Sequence, residues 1–588
     1  MLEVLLSWAV IFLTTYGVGE GGALILHRHL PASPALASRI TPKLVLGLVV
    51  LTVYSEFFSL FAGVGALCHL LVIGGLMVFL LRSKALRGAY RHCFSQFRDI
   101  LKTHTGLVLL AIVLIIAFYS SRGTFHTDTG IYHAAAIRFI ERCGVIKGLA
   151  NLQLHYGYNS AYLVLCAFFS YAWLPGIGAN AGGTLALHTL TGFLACFASC
   201  YAALGLRHWK AHRLHLADAA RIALLLYVLT NACGLMSPAT DYGTLLFSHL
   251  LLCFWLDVVE ERAEKGTAGD RRLRDNSYGY LCILALFLVS MKLSAAAMVL
   301  LVLYPLVRLI RTRRGKAVLA FLLLGFVSFV PFLIRNVILS GWLFYPFEAI
   351  DLFSVPWKVP VAYSLVDSAQ IKVWGRCLYD ITKVDLPMRE WIPVWWDGQY
   401  DYDQMLLYAL MASVPMSVID LLLLGKNRIR LRDHLDAVLL AISLYVSVGV
   451  WFVTAPFVRY GLAFLLTTPL LSVSLFFSLL RGKRSFWKAP GIFLALFVLI
   501  GYCSWIDHYT NDGLSFVKQQ VKEPWYLIQK PYPGGENESA MTVDGVTFYV
   551  AGTDEVNSYY AFPGTCYNFM LERTKLLGDS IGDGFAPK

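Results

Sequence analysis

The 588 residues are 57% hydrophobic and only 15% charged, with a mean hydropathy of +0.62. That excludes a soluble globular protein, because apolar runs of bilayer-spanning length, about 20 residues, recur from end to end. The formal net charge of +12 does not point to nucleic acid, since the lysines and arginines gather in short segments between apolar runs. Cys196, Cys200, Cys233 and Cys253 sit inside apolar runs as small hydrophobes, and no CxxC pair or Cys/His cluster suggests a metal site.

Residues 1–26 carry Glu3 where a cleavable signal would carry basic residues, so they read as a first span. The basic segments 28–43, 82–102, 207–221, 262–274, 308–316, 426–432 and 481–488 are predicted to face the cytoplasm by the positive-inside rule. The long hydrophilic segments 341–403 and 507–588 are acidic on balance and fall on the other side. Under that constraint, spans fall near 2–26, 43–61, 64–81, 106–122, 179–204, 219–236, 242–260, 278–291, 293–310, 316–339, 404–424, 434–455, 459–480 and 489–506. The fold class is thus an all-α polytopic membrane protein of about 14 helices with both ends outside.

Two apolar runs need separate treatment. Counting 158–174 as a span would put His208, Lys210, Arg213 and Arg221 on the wrong side, so it reads as an interfacial helix on the outer surface. The run 278–310 makes a helix of roughly 50 Å, too long for one ~30 Å crossing and short for two. A tight hairpin with Met291-Lys292-Leu293 at its outer tip keeps Arg311, Arg313 and Arg314 inside.

This topology brings five charges to one membrane face: Asp128 after the fourth span, Asp241, Lys292, Arg335 and Arg459. Each basic residue alone could snorkel to headgroups; two acidic and three basic residues at one depth predict a shared polar cavity. Asp128 lies in the polar stretch 125–133, flanked by His126 and His133, which either tune the carboxylate or bind phosphate. Asp241 either supplies a second catalytic carboxylate or pairs with a nearby cation. The chemistry that needs such a cavity is sugar transfer from a polyprenyl-phosphate carrier. A carboxylate deprotonates the acceptor hydroxyl, and arginine and lysine stabilise the departing phosphate.

The loop 341–403 is long for a helical bundle and carries Trp342, Trp357, Trp374, Trp391, Trp395 and Trp396. Interfacial anchoring accounts for most of them, while Trp395-Trp396-Asp397 beside Asp401 and Asp403 also reads as a sugar platform. From 507 onward the spans stop, and Asp544-Gly545 between apolar runs signals a hairpin in a small β-containing outer domain that caps the cavity. Asn537-Glu538-Ser539 fits a glycosylation acceptor. Cys566 could meet Cys377 in an oxidising compartment.

Several stretches carry a resemblance. Thr127-Asp128-Thr129-Gly130-Ile131-Tyr132-His133 supplies an outer-loop acidic residue, residues 132–143 and 157–174 look like paired juxtamembrane helices, and Ser290-Met291-Lys292-Leu293 looks like a lysine-bearing helix pair. Over roughly 107–480 the chain resembles the GT-C superfamily of polyprenyl-phosphate-dependent glycosyltransferases. Asn151-Leu152 to Asn159-Ser160, Trp342 to Pro346, Trp357 to Pro360 and the terminal Gly582-Asp583-Gly584-Phe585 look more like a group of bacterial surface-polysaccharide-associated membrane proteins within that class. The resemblance implies an integral protein of the bacterial inner membrane with its site facing outward. The implied partners are membrane lipids, a polyprenyl-phosphate-linked sugar and a glycan, lipid or protein acceptor, with no nucleic acid. Asp128 takes the catalytic-base position and Asp241 is the second candidate; His126, His133, Lys292, Arg335, Arg459, Trp395 and Trp396 are expected to bind substrate. Position 126 is His where an acidic pair would need a second carboxylate, so no metal ligands are assigned, and a divalent cation stays open as a cofactor. A lipid-linked polysaccharide polymerase or ligase would use a similar cavity; a polysaccharide-lipid transporter would place its charges nearer the bilayer midplane. The expected organisation is 1–105 N-terminal spans, 106–340 a core with outer loop and juxtamembrane helices at 123–178, 341–403 the Trp-rich loop, 404–506 the last spans and 507–588 the outer domain.

Overall fold

Long stretches of Leu, Val, Ile and Phe with almost no charge leave the helix as the only backbone form that satisfies its own peptide groups in hydrocarbon. The computed structural model describes residues 1–122, 126–174, 185–206, 215–230, 237–265, 269–427, 434–479, 521–523, 525–530, 538–552 and 559–588. Among the described residues, nine helices are long and apolar enough to cross a bilayer: Leu2–His29, Ile40–Phe58, His104–Arg122, Thr240–Glu261, Leu293–Arg311, Gly315–Ser340, Asp403–Lys426, Leu435–Thr454 and Val458–Phe476. This is a helical membrane protein. The expected spans near 179–204 and 219–236 correspond to the described helices Leu185–Gly205 and Asp218–Thr230; the expected span 489–506, Asn537 of the glycosylation pattern and the basic loops 207–214, 428–433 and 481–488 lie outside the described residues.

The first two spans pack backbone to backbone. A Cβ on Gly19 would fall 1.8 Å from the Lys43 carbonyl oxygen and one on Gly47 2.0 Å from that of Thr15, so both positions admit only glycine. The Thr240–Lys265 helix runs through the middle of the bundle, against Leu185–Gly205, Gly269–Met291 and Val458–Leu479. By contrast, Leu319, Leu322, Leu323, Phe326 and Val327 of Gly315–Ser340 face outward, as lipid-contacting side chains do.

Four sequence expectations change. The segment 82–102, expected as a loop, contains an 18-residue helix, Lys84–Leu101, bent by 98° from the preceding Ala66–Arg82. Residues 158–174 do not form a helix on the outer surface: Ala161–Phe168 is buried on every side, enclosed by Ile40–Phe58, Ala134–Cys143 and Leu185–Gly205. A helix apolar all round belongs in a core, and eight residues span only about 12 Å, too short to cross. The hairpin through Lys292 forms, but its first arm starts at Gly269, and Leu293–Val302 is wound as a 3-10 helix before Leu303–Arg311. The loop 341–403 holds two helices, Val361–Gly375 and Met388–Asp397.

In the C-terminal segment, strands Ser539–Val543 and Val546–Val550 pair antiparallel across Asp544-Gly545, whose φ values of 49° and 79° are those of a two-residue hairpin turn. Short strand Gly564–Thr565 adds in parallel, and Thr574–Leu576 pairs with Phe585–Pro587. Val543, Phe548, Val550, Leu571 and Phe585 share one core with Phe139, Ile146, Leu149, Leu152 and Tyr156. The terminal Gly584-Phe585 docks on Lys147: the Phe585 amide donates to the Lys147 carbonyl at 2.8 Å, and Gly584 takes φ 106° where a Cβ would meet that same oxygen at 2.6 Å. The stretches 151–160, 342–346 and 357–360 meet in the same region, since the Asn151 amide donates to the Trp357 carbonyl and the Trp342 indole to that of Val359.

Candidate functional site

The site assembles where several helices begin or break. Thr129–His133 form one wide π turn, closed by the Ala134 amide on the Thr129 carbonyl; such widened turns re-aim side chains and recur at functional sites. Asp128 precedes this turn, Asp241 is the second residue of Thr240–Lys265, Arg459 the second of Val458–Leu479, and Lys292 occupies the extended break between Met291 and Leu293. A cation at a helix N-terminus opposes the helix dipole whereas a carboxylate complements it. Arg459 is therefore stable there only because acidic partners surround it.

Those partners are the predicted ones. Arg459 donates to Asp128 Oδ2 at 2.9 Å and to His126 Nε2 at 2.6 Å, and its Nε lies 3.7 Å from Asp241 Oδ2. Lys292 bonds the other oxygen of Asp241 and stands 4.7 Å over the Tyr460 ring. Because an arginine N–H only donates, His126 accepts on Nε2; its Nδ1 faces the Asp128 backbone N–H at 3.2 Å and lies 3.9 Å from Asp128 Oδ2. The side chains of Asp128, Arg459 and Lys292 keep 23%, 24% and 20% exposure, against 6% for Asp241. Asp128 is thus the more exposed of the two carboxylates, and Asp241 the buried one that faces two cations.

Burial pushes the Asp128 carboxyl up, but Arg459, His133 and His126 more than reverse it and hold it below the ordinary carboxylate range. Burial, reinforced by Arg459, pushes His126 down. Burial takes His133, 1% exposed with Nδ1 lacking a hydrogen-bond partner, down to about 3. Burial keeps both histidines neutral at pH 7, which leaves Asp128 and Asp241 facing Arg459 and Lys292.

A second tier extends from His133. Tyr132 stacks on His155 with centroids 5.2 Å apart, His155 meets Tyr158 at 5.4 Å, and the Tyr158 hydroxyl donates to both oxygens of Asp367 at 2.8 Å. Burial raises Asp367 above its usual range, against the pull of His155. The sequence reading missed these residues; the clustering of His155, Tyr156 and Tyr158 and the lone Asp367 on an otherwise neutral stretch were the available signals.

Three predicted members lie elsewhere. Arg335 is buried apart from the four charges, donating to Asn159 Oδ1 at 3.1 Å and to Ser59, with Glu56 as its acidic neighbour; topology equalised its depth but not its position around the bundle. Trp395 is not a sugar platform: it is 4% exposed among Trp391, Trp451 and Phe452, with its indole N–H donated to the Pro456 carbonyl at 2.6 Å. Trp396 is half-buried, edge-on to Tyr408 at 5.2 Å. The Trp451 indole donates to the Phe457 carbonyl at 2.8 Å, so Trp395 and Trp451 together fix the chain entering the helix that carries Arg459. Cys377 and Cys566 do not pair. Cys377 accepts from Gln399, and the Cys566 thiol donates to the Ile131 carbonyl at 3.0 Å.

Asp128 and Asp241 each face a basic side chain, and among the described residues no group of three His, Cys, Asp or Glu side chains is arranged to hold a metal ion. Fold and site define a helical membrane protein with an ion-paired cluster at the ends of its spans. The chain belongs to the family described as a domain of unknown function (DUF8201), whose model matches residues 1–466. That span takes in all four charges and both tryptophans of the Arg459 anchor, and ends before the C-terminal strands. No curated protein and no solved structure matches the chain.

Proposed function

We propose that this protein is a membrane glycosyltransferase of about fourteen spans that moves a sugar from a polyprenyl-phosphate carrier to an acceptor on the extracytoplasmic side, with Asp128 as base. The observation that carries the reading is a partly exposed carboxylate ion-paired to Arg459, with Lys292 two contacts away through Asp241. In the step proposed, the acceptor hydroxyl loses its proton to Asp128 and its oxygen bonds the anomeric carbon. The bond from that carbon to the phosphate oxygen breaks, and the phosphate keeps the electron pair. The phosphate gains one negative charge as Asp128 loses one, so Arg459 gains a partner as it loses one, and Lys292, held by Asp241, adds its charge to the departing phosphate.

The low carboxyl of Asp128 makes it a weak base at rest. A phosphodiester that draws Arg459 toward itself loosens the ion pair that lowers Asp128, and raises its basicity where the acceptor arrives. The arginine fork suits two phosphate oxygens and the lysine adds a point charge. Asp241, enclosed and bound to both cations, is a positioning residue, and the C-terminal strands packed on residues 139–156 form a cap beside the site.

The test is binding of polyprenyl phosphate to the purified full chain. Saturable binding that weakens tenfold or more in Arg459→Gln is expected. Absence of saturable binding, or equal affinity in the variant, would remove the phosphate site and with it the reading.

A further inference from the structure

We propose that the Lys84–Leu101 helix is a binding surface for an anionic phospholipid leaflet, independent of the charged site. Residues 82–104 hold six basic side chains and one acidic one, Asp99, which pairs with its neighbour Arg98 at 3.4 Å. At about 100° per residue, Lys84, Arg87, Arg91, Arg98 and Lys102 fall within an arc of roughly 60°. The exposed Phe94, Phe97 and Leu101 occupy the adjoining arc. The third face, with Leu86 and Cys93, is buried against the protein, where the helix packs on Leu2–His29, Ala66–Arg82 and His104–Arg122.

That order of faces suits a helix lying in a membrane interface, with aromatic and leucine side chains entering the acyl boundary and the cations level with the phosphates. The chain places it there: the helix follows an apolar segment, turns 98° from it, and leads into the span His104–Arg122. The bend is pinned, because Arg87 donates to the carbonyls of Leu80 and Leu81 at 2.6 Å and the Tyr90 hydroxyl to that of Leu13 at 2.7 Å. Among the described residues Lys84, Arg91 and Lys102 form no ion pair and point their charge to the surroundings. Nucleic acid or an acidic protein would meet the same cations, but neither explains Phe94, Phe97 and Leu101 exposed alongside them.

The experiment measures displacement of a fluorescent phosphatidylglycerol from the detergent-solubilised full chain by unlabelled phosphatidylglycerol or phosphatidylcholine. Wild type should prefer phosphatidylglycerol, less so as salt rises from 0.05 to 0.5 M. At ~1 kcal/mol per cation near anionic lipid, Arg91→Gln/Arg98→Gln/Lys102→Gln should weaken it on the order of a hundred-fold. Arg91→Lys/Arg98→Lys should keep the preference, which separates lost charge from lost fold. Equal displacement by the two lipids, or a preference unchanged in the triple variant, overturns the proposal.

Discussion

Acidification provides a sharp test of how the Asp128 neighbourhood is buried. His133 sits in the π turn with His126, Asp128, Asp241 and Arg459 around it, and burial is the main cause that takes its pKa from 6.5 to about 3. In the unfolded chain an imidazole binds its proton below about 6.5. Between that value and about 3 the unfolded state therefore holds more protons than the folded one, and stability falls as the pH drops. At pH 5 the residue has traversed about 1.5 units, worth roughly 2 kcal/mol at 1.36 kcal/mol per unit. His126 and His155, also pushed down mainly by burial, add losses of the same sign. The comparison that isolates His133 is unfolding of wild type and His133→Gln at pH 7.5 and pH 5.0. The wild type should lose about 2 kcal/mol more than the variant across that interval. An equal acid loss in both proteins would refute the buried neutral imidazole.

Further outcomes follow from the same contacts. Lys292→Met removes the closer of the two cations facing Asp241, with Arg459 still 3.7 Å away, and should cost about 1.5–3 kcal/mol, recovered in part by adding Asp241→Asn, as a double-mutant cycle would report. Trp451→Phe removes the indole bond to the Phe457 carbonyl; a loss of about 1 kcal/mol in unfolding, with a drop in affinity for polyprenyl phosphate because Arg459 is less well held, is expected. Gly584→Ala puts a Cβ against the Lys147 carbonyl in a backbone conformation that disfavours side chains, and limited proteolysis should then release the C-terminal strands faster than in wild type. The acid limb of kcat/KM should lie below the ordinary carboxylate range and move up in Arg459→Gln, since that guanidinium is the chief group holding Asp128 down.

The sequence exposed what depends on composition and local pattern. Apolar length marked most of the spans, Asp544-Gly545 marked a turn, and counting charges by depth brought Asp128, Asp241, Lys292 and Arg459 to one level, where the structure joins them. Depth alone does not give azimuth, which is why Arg335 joined the list although it faces Ser59 and Asn159. Charge counting also hid the Lys84–Leu101 helix, whose 3.6-residue period lay beneath its arginines. Trp395 was misread because an indole in an outer loop looks the same whether it offers a face to a sugar or donates to Pro456. The Tyr132, His155, Tyr158 and Asp367 tier escaped because its members come from separate segments that only the tertiary fold brings together.

The most direct measurement of the central claim is turnover of a radiolabelled polyprenyl-phosphate sugar by the purified protein with candidate acceptors, wild type beside Asp128→Asn. Loss of a positioned base predicts a rate lower by about 10²–10⁴-fold with the fold intact. Equal turnover by the two proteins would contradict the assignment of Asp128.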